Sequence, residues 1–306
     1  MSALHSEATA HADYRRRQFH LGSPAQPGTM AALAFGPESR PVDLVFAHAN
    51  GFNAMTYRRL LAPLGAAGWH VLAIDQRGHG RSQLAADPDP VPHSWLRYRD
   101  DLLALFEQLG GAPRVLAGHS MGGTASLLAS ASLRERGARV PSLVLFDPVL
   151  MPAGADEQGD LDWTAPEHSP LVRGALRRND RFDSPEAALA SYRGRGAFKT
   201  WPEAVIADYL EDGLLPQPDG SWRLSCAPAW EAANFIRAHR SGLPAAMAAQ
   251  AGPLRVLRAE IETTAPWTHW PAQARVQTVQ GSTHFLPMEF AEQARAALQQ
   301  ALAGDD

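Results

Sequence analysis

The stretch Val115-Leu116-Ala117-Gly118-His119-Ser120-Met121-Gly122-Gly123-Thr124-Ala125 constrains this chain more than any other, because an apolar run enters Gly-x-Ser-x-Gly and leaves into a helix-like sequence. A serine at the tip of a strand-to-helix turn requires unusual backbone angles and close approach of the flanking chain, which accounts for Gly118 and Gly122 on either side of Ser120. The helix that follows starts beside the serine and aims backbone N–H groups and its positive dipole end at it. A hydroxyl so placed has the surroundings of a nucleophile, and a turn of this kind belongs to a parallel α/β sheet.

The rest of the first half agrees. Short apolar runs at Val42–Ala47, Trp69–Ile74, Arg114–Ala117 and Leu143–Phe146 read as buried parallel strands. Between them, Leu60, Leu61 and Leu64 precede Gly68, and Trp95, Tyr98, Leu102, Leu105, Phe106 and Leu109 recur at helical spacing up to Gly110-Gly111. This β-α alternation predicts a mostly parallel twisted sheet with helices on both faces. It breaks at Pro148 and resumes at Leu254–Leu257, with a further strand at Arg275–Val279 and a final helix from about Pro287 to Leu302. We therefore expect a core formed by residues 1–150 and 253–306, with residues 151–252 inserted as a helical cap. The cap holds the helix start Ser184-Pro185 and the tryptophans Trp163, Trp201, Trp222 and Trp230, which suit the lining of an apolar pocket; Ala245–Gly252 reads as a connection.

Bulk properties remove several function classes. The net charge of −4 gives no reason to expect a nucleic-acid partner, and Cys226, the single cysteine, excludes an intrachain disulfide or a multi-cysteine zinc site. No run of 18 apolar residues occurs, and Arg15-Arg16-Arg17 has no apolar stretch beside it, so neither export nor a membrane span is expected and the cytoplasm is the expected location. The arginines read as the solvated start of the first strand.

Serine is a poor nucleophile until a base within hydrogen-bond reach takes its proton, and that base is normally a histidine held by a carboxylate. His284, between the last strand and the last helix, occupies the position that the chain order serine, acid, histidine requires. His119 is expected to face the other side of the turn as a structural residue. Two strand ends offer the acid. Asp147 follows the apolar run Leu143–Phe146, where an unpartnered carboxylate would be costly; Glu262 follows Leu254–Leu257, with Glu260 as a further alternative. Asp147 is favoured. For a developing oxyanion, the backbone N–H groups of Asn50 and Met121 are the expected donors, with Gly51 giving the 48–52 loop freedom to turn an amide inward. The segment Asp75–Ser82 reads as a hydrogen-bonded loop brace without chemistry.

With these residues in place the chain resembles the α/β-hydrolase superfamily, over His48 to Met288. Most members of similar layout take the acid after the penultimate strand, where this chain has Glu262 in place of Asp. The phrases Ala190–Phe198 and Leu224–Ala232 look similar to a branch that includes fungal acyl-CoA hydrolases, in which the aspartate follows the strand after the elbow, as Asp147 does. The resemblance implies hydrolysis of an ester or thioester with an apolar acyl group, without metal or organic cofactor; Ser120 stands where dehalogenases and epoxide hydrolases carry aspartate. Acyltransferase, lyase or perhydrolase chemistry, or a ligand receptor that retains these residues, are the alternatives on this fold. Arg173, Arg177, Arg178, Arg181, Arg193, Arg195 and Lys199 outnumber Asp180, Asp183 and Glu186 and would suit an anionic substrate tail, although salt bridges are the simpler reading. A buried structural role is expected for Cys226. Oligomeric state is not legible.

Overall fold

The computed structural model describes residues 13–23, 26–87, 95–150, 169–237 and 242–305. Along the chain run β1 (Arg15–Ser23), β2 (Gln26–Phe35), β3 (Leu44–Ala47), α1 (Arg58–Ala66), β4 (Val71–Ile74), α2 (Leu96–Gln108), β5 (Val115–His119), α3 (Met121–Glu135) and β6 (Ser142–Phe146). Then come α4 (Pro170–Leu176), β7 (Arg181–Phe182), α5 (Pro185–Tyr192), α6 (Glu203–Gly213), β8 (Leu214–Pro216), β9 (Trp222–Leu224), α7 (Pro228–Arg237) and α8 (Leu243–Ala248). The chain ends with β10 (Leu254–Ala259), β11 (Ala274–Val279), α9 (Leu286–Glu289) and α10 (Ala291–Ala303).

Eight strands form one sheet in the order β1-β2-β4-β3-β5-β6-β10-β11. From β4 to β11 all neighbours are parallel, while β2 is antiparallel to both β1 and β4. The apolar runs sort by alternation: Leu44, Phe46, Val115, Ala117, Val144 and Phe146 face α1 and α10, whereas Val45, Ala47, Leu116, Leu143 and Leu145 face α2, α3 and α8. A sheet buried on both faces needs helices on both, and continuous apolar strands result. Phe46 is fully buried between Tyr57 and Phe146, so Phe46→Ala would cost about 3–5 kcal/mol.

Three differences from the sequence reading have local causes. β2 forms although Met30-Ala31-Ala32-Leu33-Ala34-Phe35 is rich in helix formers, because pairing with β1 and β4 overrides that propensity. The final helix is interrupted at Phe290 (φ −126°, ψ 49°), where Glu289 turns back to accept from Thr283 N at 2.8 Å and Thr283 Oγ1 at 2.6 Å. Between β6 and β10 the chain adds a small antiparallel sheet, β7-β9-β8, to the helices, and Ala245–Ala248 belongs to α8, which packs Leu243, Ala246 and Met247 into the second face. The serine-capped start of α5 is present, with Ser184 Oγ accepting from Ala187 N at 3.2 Å. Arg15, Arg16 and Arg17 lie exposed on β1, and Arg16 pairs with Asp212.

Register brings the site together. Ala47 pairs with Gly118, His119 with Phe146, and Phe146 with Leu257, so the segments leaving β3, β5, β6 and β10 emerge side by side at one carboxyl edge.

Candidate active site

Ser120 sits between β5 and α3 at φ 54°, ψ −120°, in a region that side chains other than glycine rarely adopt. Holding it there costs on the order of 1–3 kcal/mol, which the surrounding packing must supply. The glycines permit the crossing: a Cβ on Gly118 would lie 2.4 Å from the Gly122 carbonyl, and one on Gly122 would lie 2.2 Å from Ala47 O. Ser120 N donates to Phe146 O at 3.0 Å, tying the turn to β6. Ser120 Oγ itself has no hydrogen-bond partner among the described residues.

His284 lies on the loop after β11. Its Nδ1 is 2.6 Å from Asp147 Oδ2, and Asp147 is fully buried at the end of β6. A carboxylate at that nitrogen places the proton on Nδ1 and leaves Nε2 as the acceptor. Asp147 is caged further: Oδ1 accepts from Ala259 N at 2.9 Å and from Thr263 Oγ1, while Oδ2 accepts from Thr264 N at 3.0 Å and Thr264 Oγ1 at 3.1 Å. Burial alone pushes the carboxyl up, but His284, Thr263 and Thr264 outweigh it and hold the group down at about 2. Glu262 and Glu260, the alternative acids, are exposed; neither meets His284, and Glu260 instead accepts from Gly281 N at 2.7 Å.

The 48–52 loop leaves β3 next to the elbow. Two buried histidines fix it, both kept neutral because burial lowers their pKa, His79 to about 4. Gln76 N donates to His48 Nε2 at 2.8 Å and Gly51 N donates to His79 Nε2 at 3.0 Å, so each ring carries its proton on Nδ1, given to Ala49 O and Arg77 O respectively. The Asn50 side chain is clamped to α7, donating through Nδ2 to Glu231 O at 3.0 Å and accepting from Asn234 Nδ2 at 2.9 Å. Among the described residues, the backbone N–H groups of Asn50 and Met121 have no partner, the latter as one of the orphan donors that open any helix.

The Asp75–Ser82 segment is the brace its glycines and charges suggested. Asp75 accepts from Ala54 N and Arg81 N, both at 2.8 Å, and a Cβ on Gly80 would touch its carboxylate. His119 does lie away from Ser120: its Nε2–H donates to His284 O, and Tyr57 Oη donates to Nδ1, each at 2.7 Å.

Around His284 stands an aromatic wall. Phe52 packs against Trp201, Tyr209, Phe198 and Phe285 at ring separations of 4.9 to 6.4 Å, and Phe285 is 5.6 Å from the His284 ring. Of the four tryptophans singled out, Trp201 joins this wall, Trp230 donates to Arg77 O at 3.1 Å, Trp222 lies in β9, and Trp163 falls outside the described residues. The arginine excess is partly consumed in ion pairs, Arg178 with Glu231, Arg181 with Asp219 and Arg193 with Glu203. Cys226 is buried, and burial raises its pKa. Among the described residues, no group of three His, Cys, Asp or Glu side chains is arranged to hold a metal, and no helix is long and apolar enough to cross a membrane.

Sequence reasoning missed Thr263, Thr264, Tyr57, Glu231 and Asn234. No sequence signal ties Thr263 and Thr264 to Asp147, because their contacts with it span more than a hundred residues.

Comparison with known proteins bears on the fold and the family. The chain is similar to protein phosphatase methylesterase 1 of Cryptococcus neoformans var. neoformans serotype D (strain JEC21), 29% identical over 190 residues, which are 58% of this chain and 41% of that protein. It is similar to lipase LipV of Mycobacterium tuberculosis, 29% identical over 157 residues, which are 51% of this chain and 52% of that one. The chain thus spans about half the length of these relatives, or less. Among solved structures, that of E-2-(acetamidomethylene)succinate hydrolase superposes with a TM-score of 0.75 at 23% identity, covering 95% of this chain and 99% of the other. The sequence model of the alpha/beta hydrolase family matches residues 44–298, from β3 through most of α10, and the chain belongs to that family.

Proposed function

We propose that this protein hydrolyses carboxylic esters or thioesters of apolar acyl groups through an acyl-serine intermediate. The observation that carries this reading is the 2.6 Å contact between His284 Nδ1 and a caged Asp147, on the loop against which the Ser120 elbow is packed. Ser120 Oγ attacks the acyl carbonyl carbon while its proton passes to His284 Nε2. The tetrahedral oxyanion is met by the Asn50 and Met121 N–H groups, which have no other partner among the described residues. The bond from carbon to the leaving oxygen or sulfur then breaks as Nε2 returns the proton to it. Water repeats the sequence on the acyl-serine, releasing the acid and restoring Ser120.

Asp147 orients the imidazole and stabilises the imidazolium; its low pKa keeps it anionic throughout. The described part of the expected 151–252 cap, residues 169–237 and 242–252, covers this site in our reading, residues 151–168 and 238–241 lying outside the described residues, and Phe52, Trp201 and Phe285 favour an apolar acyl chain. The relatives named as a methylesterase and a lipase support an ester substrate. A fluorophosphonate probe is expected to label the protein covalently at Ser120, and Ser120→Ala is expected to abolish both labelling and turnover of short p-nitrophenyl esters. An unlabelled wild-type protein would remove the nucleophile assignment. Comparing p-nitrophenyl esters with acyl-CoA of equal chain length separates ester from thioester preference.

A further inference from the structure

We propose that Tyr57 and His119 are positioning residues that lock the base loop to the oxyanion loop. One buried hydrogen-bonded chain connects the two: Ala49 N donates to Tyr57 Oη at 3.2 Å, Tyr57 O–H donates to His119 Nδ1 at 2.7 Å, and His119 Nε2–H donates to the His284 carbonyl at 2.7 Å. The chain begins one residue before Asn50 and ends on the backbone of the base itself. It runs through His119, the residue that precedes the nucleophile in the elbow. Tyr57 and His119 are essentially without exposure, and their rings pack edge to face at 5.9 Å, with the His119 and His284 rings 5.0 Å apart.

Each link has a fixed direction. The His284 carbonyl can only accept, so His119 Nε2 carries the ring proton; in the neutral ring Nδ1 is then unprotonated and accepts from the Tyr57 O–H, whose oxygen in turn accepts from Ala49 N. Burial and the neighbouring His284 push the His119 pKa down to about 3, so the ring keeps this neutral form across the working range of a serine hydrolase. Two loops separated by more than two hundred residues are thereby held at one spacing, the spacing between the proton acceptor and the Asn50 donor that a tetrahedral intermediate must bridge. A catalytic constellation is only as well placed as the side chains that support it.

The inference rests on the hydrolase reading for its kinetic consequences but has a readout that does not. Wild type, Tyr57→Phe, His119→Asn and His119→Gln are compared by nitrogen NMR of the histidine tautomers, by the deshielded Nδ1 proton shared between His284 and Asp147, and by kcat and KM on p-nitrophenyl butyrate. Glutamine places its amide nitrogen near the position of Nε2 and keeps the donor to His284 O, whereas asparagine falls short of it. Expected are a His119 protonated at Nε2 only, and losses in kcat of about 10- to 100-fold in Tyr57→Phe and His119→Asn with KM little changed. The His284 Nδ1 proton signal is expected to broaden in those two variants and to persist in His119→Gln, whose kcat stays within about threefold of wild type. Equal behaviour of the asparagine and glutamine variants, or an unaltered Nδ1 proton in all three, would reduce the pair to core packing and overturn the proposal. Should wild type not turn over at all, the hydrolase reading fails, while the NMR contrast between asparagine and glutamine still decides whether the pair positions His284.

Discussion

β6 and β10 are neighbours in the sheet, and each is followed by an acidic residue held at positive φ, Asp147 immediately after β6 at 38° and Glu262 three residues after β10 at 52°. Backbone strain is common to both. What differs is the company of the side chain. Asp147 turns inward among the donors of Ala259, Thr263, Thr264 and His284 and is completely buried, whereas Glu262 turns to solvent. Three of the four residues that cage Asp147 come from the end of β10, the very segment that carries Glu262. The later strand thus supplies the cage and the earlier one the charge, and a carboxylate becomes an imidazole partner where donors surround it, not where chain order alone would put it.

The sharpest break of this comparison is to neutralise each acid in turn. Asp147→Asn is expected to lower kcat on p-nitrophenyl butyrate by roughly 10³–10⁴-fold, because an amide at that position no longer holds the proton on Nδ1 or stabilises the imidazolium. Glu262→Gln is expected to change kcat by less than about twofold, as for other exposed positions. The opposite ranking would move the acid to β10. Much of this difference was legible in the sequence. An apolar run closed by Asp147-Pro148 announces a buried carboxylate, just as a strand, a glycine-flanked serine and a helix announce the elbow. The cage was not legible, because Ala259 N and Thr264 reach Asp147 across more than a hundred residues, and only the β6–β10 pairing makes them neighbours. Side-chain periodicity places a residue on a face of the sheet but says nothing of which strand ends lie beside it. The same limit hid the link from Tyr57 through His119 and the clamp of Asn50 by α7.

The cage also has a signature in stability. Because the pKa of Asp147 falls to about 2 in the folded protein and is ordinary when unfolded, the native state binds fewer protons between those values. The resulting contribution, roughly 2 kcal/mol, is complete above about pH 4 and is lost as pH falls toward about 2. Urea unfolding of wild type over that window should therefore show a fall in stability that Asp147→Asn flattens. A slope that Asp147→Asn leaves unchanged would mean that the cage does not hold the carboxylate down.

Removing a single donor tests the cage more finely. Thr264 gives Asp147 two bonds, through N and Oγ1, and its hydroxyl also lies 2.8 Å from the Asp147 carbonyl and 3.3 Å from His284 Nδ1. Thr264→Val keeps the shape and the backbone donor and deletes only the hydroxyl. The expected loss is about 1–2 kcal/mol, read as a roughly fivefold to thirtyfold fall in kcat/KM with the Asp147 titration moving upward. An unchanged kcat/KM would mean that backbone donors alone hold the carboxylate.

The smallest expected effect separates strain from function. A non-glycine residue at positive φ costs on the order of 1 kcal/mol, and glycine relieves that cost while giving back about 0.5–1 kcal/mol through the greater freedom of the unfolded chain. Glu262→Gly is therefore expected to leave the unfolding free energy within about 1 kcal/mol of wild type and kcat within about twofold. Asp147→Gly relieves the same kind of strain yet removes the partner of His284 and leaves the donors of Thr263, Thr264 and Ala259 without an acceptor in a buried site. Its activity should fall at least as far as that of Asp147→Asn, and its stability by several kcal/mol because buried donors without partners each cost about 1–3 kcal/mol. Chemical denaturation and ester turnover of the two glycine variants, measured side by side, check whether the unusual backbone at the two strand ends is one feature with two uses. If Glu262→Gly lost activity as Asp147→Gly does, the end of β10 would be shaping the site through its own backbone, and not only through the threonines that follow it.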